Sequence, residues 1–138
     1  MTEVQFDPKG GKLWASFEMR GLYRIYYRYT LWSMHQNKPV VLTEPPFINN
    51  NITPHDDFLQ IKNDFTPNEP VAKHDSREIF VEFNIVKTGN DNGYNLDVII
   101  SQGKNYTTSL EIGRDHLDGD LGGNNSKDEY AIVKLKKN

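Results

Sequence analysis

Apolar and polar residues alternate along most of this chain with a period of two, and no stretch sustains the spacing of an amphipathic helix. Successive strand side chains point to opposite faces, so each alternating run predicts a strand with one apolar and one polar side. Leu13, Ala15, Phe17 and Met19 fall on one side of a first strand, with Trp14, Ser16, Glu18 and Arg20 on the other. Gly21 then reads as a tight hairpin or sharp bend, because uninterrupted strands longer than about ten residues are unusual. The run from Leu22 to Trp32 follows, and it is the most informative in the chain. One side carries Tyr23, Ile25, Tyr27, Tyr29 and Leu31; the other carries Leu22, Arg24, Tyr26, Arg28, Thr30 and Trp32.

Val40 to Thr43 predicts a short strand, ended by the Pro45-Pro46 pair, since proline cannot donate to a central ladder. Between Glu44 and Ser76 the chain is rich in Pro and Asn yet carries Phe47, Ile48, Ile52, Phe58 and Phe65. So many large apolar groups predict an ordered covering loop, with one weak strand over 58–62, rather than a solvated linker. Glu78 to Lys87 alternates Ile79, Val81, Phe83 and Ile85 against Glu78, Glu82 and Asn84. A Gly/Asn/Asp turn over 89–93 then makes a hairpin with Tyr94, Leu96, Val98 and Ile100 as the return strand. Tyr106 to Ile112 predicts the next strand, 113–128 a polar loop, and Tyr130 to Leu135 the last strand.

About eight one-sided strands without helices predict an all-β fold: a mostly antiparallel β-sandwich, jelly-roll-like or immunoglobulin-like. At 138 residues, with no internal repeat, the chain reads as a single domain over 1–138. The apolar fraction of 36% is low, but seven Tyr, seven Phe and two Trp compensate, because each aromatic buries a large area.

The net charge of −3 argues against nucleic acid as a partner. Lys9, Lys12, Arg20, Arg24, Arg28 and Lys38 outnumber Glu3, Asp7 and Glu18 in the first 38 residues, so the acidic excess lies beyond them. The absence of cysteine removes disulfides and thiolate zinc sites, and no apolar run is long enough for a helical membrane span. The opening residues lack the basic and apolar regions of a leader, which makes the cytoplasm the default compartment and secretion the expectation only if a leader has been removed.

The best candidate contact surface is the side of the long strand bearing Arg24, Tyr26, Arg28 and Trp32. Flat rings stack on sugars or bases, and arginine forks toward carboxylates and phosphates. The competing expectation is burial of Tyr26 and Trp32 under the 44–76 segment, with arginine stems packed beside them. A second candidate is the oxygen-dense stretch containing Asp115, Asp118 and Asp120, which could hold calcium as the one conceivable cofactor, although its spacing departs from the EF-hand loop. His55, His74 and His116 each adjoin an acid, but strand neighbours point to opposite faces, so these pairs read as turn residues. No serine elbow, thiol or phosphate-cradling loop is present. The expected function is therefore a soluble, non-catalytic recognition module binding a glycan or another polar surface, such as that of a protein. The alternatives are a structural protein assembling as a homo-oligomer through the same face, and an enzyme whose site the sequence does not display.

Overall fold

Alternation produces strands here because each has an apolar face to hide, and two such sheets hide those faces against each other. The computed structural model describes residues 2–20, 23–35, 38–43, 48–51, 58–61, 70–90 and 92–138. Among them are ten strands: β1 (Thr2–Phe6), β2 (Lys12–Arg20), β3 (Tyr23–His35), β4 (Lys38–Thr43), β5 (Ile48–Asn51), β6 (Phe58–Gln60), β7 (Glu78–Lys87), β8 (Gly93–Gly103), β9 (Leu110–Asp120) and β10 (Ser126–Lys137). Two short 3-10 turns, Val71–His74 and Tyr106–Thr108, are the helical pieces among the described residues. No helix there is long and apolar enough to cross a membrane.

The strands form a six-stranded sheet, ordered β1-β10-β7-β3-β4 with β5 also paired to β3, and a four-stranded sheet, ordered β6-β2-β8-β9. Among the described residues, every pairing is antiparallel except β1 with β10. The fold is thus the all-β sandwich that the alternation predicts. One sheet contributes Ile25, Tyr27, Tyr29 and Leu31 of β3, Ile79, Val81, Phe83 and Ile85 of β7, and Ala131, Val133 and Leu135 of β10 to the core. The other contributes Leu13, Ala15, Phe17 and Met19 of β2 with Tyr94, Leu96, Val98 and Ile100 of β8. The Phe17 ring lies 4.4 Å from that of Tyr27 and 5.4 Å from that of Phe83, edge-on to the latter.

Three local expectations are corrected. The strands flanking the 89–93 turn do not pair as a hairpin: β7 lies between β3 and β10, whereas β8 lies between β2 and β9. Each is one-sided, and a turn of this length spans the roughly 10 Å between stacked sheets, so their apolar faces meet across the core instead of lying side by side. The passage from β2 to β3 is likewise a change of sheet, although residues 21–22 lie outside the described residues.

The expected strand over 106–112 and loop over 113–128 are also redistributed. Residues 106–108 make a 3-10 turn, with Asn105 Oδ1 accepting from the Thr108 amide at 3.0 Å, and β9 then runs from Leu110 to Asp120. Polar side chains concealed this strand because it lies at the end of its sheet. Two glycines fit its inward side: a Cβ on Gly113 would lie 2.7 Å from Val4, and one on Gly119 would overlap the Tyr94 ring. Of the 44–76 segment, much lies outside the described residues; the parts that are described include β5 beside β3, β6 beside β2, and the Val71–His74 turn.

Two consequences can be measured. Phe83 is 1% exposed at the centre of the core, so Phe83→Ala should cost about 3–5 kcal/mol in urea unfolding. His74 is 2% exposed, and burial, reinforced by Arg77, lowers its pKa from 6.5 to about 4. The unfolded chain therefore binds the extra proton first as pH falls. His74's contribution is complete above about pH 6.5 and should decline by roughly 3 kcal/mol as pH drops to about 4. Unfolding curves across that window should flatten in His74→Gln.

Candidate functional site

Register fixes which side chains share the outward side of the six-stranded sheet. Across β3, β7 and β10 the rows read Tyr26–Asn84–Asp128, Arg28–Glu82–Tyr130, Thr30–Phe80–Ile132 and Trp32–Glu78–Lys134. The structure thus places Tyr26, Arg28 and Trp32 on one outward face. Arg24 belongs to the same strand, but its side chain lies outside the described residues.

Neither sequence expectation for this face describes it fully. Tyr26, Arg28 and Trp32 are half-buried, while Thr30 between them is buried. Trp32 Nε1 is buried with no hydrogen-bond partner among the described residues, so what the indole offers to solvent is ring carbon. Arg28 is engaged by its neighbour: its Nε donates to Glu82 Oε2 at 2.5 Å. One row along, Asn84 Nδ2 donates to Asp128 Oδ1 at 2.8 Å.

The structure adds two aromatics that the sequence reading passed over. Phe80 and Tyr130 stack with centroids 5.4 Å apart and planes at 27°, and Tyr130 is 58% exposed. Both were legible in principle. Phe80 stands on the polar side of the alternating β7 run, and Tyr130 is out of phase with Ala131, Val133 and Leu135. Their adjacency was not legible, because it depends on the β7–β10 register.

The other sheet's outward face carries a charged network. Asp97 on β8 stands opposite His116 on β9 and Glu18 on β2, and Asn95 stands opposite Asp118. His116 bonds through Nδ1 to Asp97 Oδ1 and through Nε2 to Asp118 Oδ1, the latter at 2.7 Å. Arg114 donates to Glu111 at 2.5 Å and to Asp97 at 2.7 Å, with Glu18 3.8 Å away. Glu18, Asn95, Asp97 and His116 line an open cleft of about 230 Å³. The bond from Asp97, then that from Asp118, raises the His116 pKa. The four lining residues include no hydroxyl or thiol nucleophile. This cluster escaped the sequence reading because His116 pairs across strands and two residues along, not with its chain neighbour Asp115.

The three aspartates proposed for calcium are not brought together. Asp115 is on the inward side of β9 and accepts from Thr2 Oγ1 at 2.6 Å. Asp118 and Asp120 are on the outward side, one bonded to His116 and the other accepting from the Gly122 amide at 2.6 Å. Alternation along a strand separates them, and no group of three metal-ligating side chains suited to an ion occurs among the described residues.

Imidazole titration by NMR should find His116 above the free value of 6.5, falling toward it in Asp97→Asn, and His74 near 4. Comparisons with protein-family models, with curated proteins and with solved structures find no match to this chain.

Proposed function

We propose that the outward face of the six-stranded sheet is a non-catalytic recognition surface for a glycan or another polar surface. The observation that carries this reading is the Phe80–Tyr130 stack, with Tyr130 58% exposed on a hydrogen-bonded sheet. An exposed aromatic costs free energy in water, and a ring held by a stacked neighbour loses little further entropy when a ligand covers it. Paired polar groups, Arg28 with Glu82 and Asn84 with Asp128, lie next to the rings and can orient hydroxyl groups. The charged network on the opposite sheet is held by bonds among its own members, Arg114 to Asp97 and His116 to Asp97 and Asp118.

Tyr130→Ala tests this directly. The side chain is mostly in solvent, so unfolding free energy should change by less than about 1 kcal/mol. Binding on a glycan array should weaken by about 1–3 kcal/mol, the scale of one lost stacking contact. Light scattering on the same pair of proteins checks the competing assembly role. A wild-type oligomer that Tyr130→Ala dissociates would assign the face to self-association instead.

A further inference from the structure

Tyr130, Phe80 and Trp32 are not scattered over the outward face; they lie on one diagonal. Tyr130 is in the row of Arg28 and Glu82, Phe80 in the next row one strand over, and Trp32 in the row after that on β3. Each step moves one strand across and two residues along, and the first step is closed by the ring stack. Diagonal neighbours in a sheet are about 7–8 Å apart, so the three rings mark a track roughly 15 Å long. That is the length of a short oligosaccharide rather than of one sugar.

The charges along the track bear on what could lie there. Arg28, the arginine nearest its middle, is held by Glu82 at 2.5 Å. Carboxylates of Glu78 and Glu82 stand beside the rings, Lys134 stands opposite Glu78, and Asp128 stands one row beyond Tyr130. An anionic chain would meet three carboxylates against Arg28 and Lys134, with the guanidinium already held by Glu82. A neutral chain would instead donate its hydroxyls to them while its C–H faces lie on the rings. Trp32, with its N–H buried, is suited to the second kind of contact and not to donating a hydrogen bond.

We infer that this face, on the recognition reading above, takes an uncharged linear oligosaccharide laid along the Tyr130–Phe80–Trp32 diagonal. The test is calorimetric titration of the wild-type chain with size series of neutral linear glucans, mannans and xylans, from one ring to six, with polygalacturonate and heparin fragments as anionic counterparts. Affinity for a neutral series should rise on the order of tenfold for each further ring covered, and level off once the diagonal is filled. Tyr130→Ala should make long oligomers bind like shorter ones. Equal affinity for a monosaccharide and its longer homologues, or tighter binding of the anionic series, overturns the inference while leaving recognition by this face in place. Failure of every series to bind, with Tyr130→Ala indistinguishable from wild type, overturns both.

Discussion

The contact on which the sandwich depends is the meeting of Phe17 with Tyr27 and Phe83 between the sheets. Phe17 comes from β2 of the four-stranded sheet, and the other two come from adjacent strands of the six-stranded one. Because side chains alternate, fixing these three inward fixes the direction of every other residue on their strands. A slip of one residue in β3 would turn Ile25, Tyr27, Tyr29 and Leu31 to solvent and bring Tyr26, Arg28 and Trp32 into the core. The charged group of Arg28 would then need a buried partner, at a cost of several kcal/mol. The outward faces are thus consequences of how the inward ones seal.

This explains why the sequence disclosed strand faces better than strand neighbours. Phe83, Ile85, Val98 and Ile100 are buried as their alternation requires, and all four are at most 1% exposed. Alternation is a local property and depends only on what each residue would lose in water. Pairing is different: β7 and β8 are joined by a short turn but lie in opposite sheets, and nothing within either strand distinguishes pairing side by side from packing face to face. β9 was hidden for a related reason. At the end of its sheet, its outward side is solvated, and its inward side holds Gly113, Asp115 and Gly119 where Val4, Thr2 and Tyr94 approach. Its run from Leu110 to Asp120 therefore lacks the apolar stripe by which strands are recognised.

The candidate surface was legible to a similar depth. Tyr26, Arg28 and Trp32 share a face because they are two residues apart, or multiples of two, on one strand. Phe80, Tyr130, Glu82 and Asp128 join them only through register. The added residues change the chemistry: an arginine that looks like an anion fork in the sequence becomes, beside Glu82, part of a neutral polar border to a line of rings.

The two outward faces divide the polar surface of the molecule unequally, and the edges suggest why. β9 is an end strand of eleven residues, long enough to template pairing with another chain. Its outward side carries Glu111, Arg114, His116, Asp118 and Asp120, and its inward side is approached by β1 through Thr2 and Val4. Charge on one side and a covering strand on the other are both means of discouraging edge-to-edge association. The Asp97–His116–Asp118 and Arg114 contacts thus have a structural role sufficient to account for them: they pair the crowded carboxylates of this face with Arg114 and His116. With that sheet committed to guarding its edge, the face crossed by exposed Tyr130 and half-buried Phe80 and Trp32 is where aromatic rings stand without such an explanation.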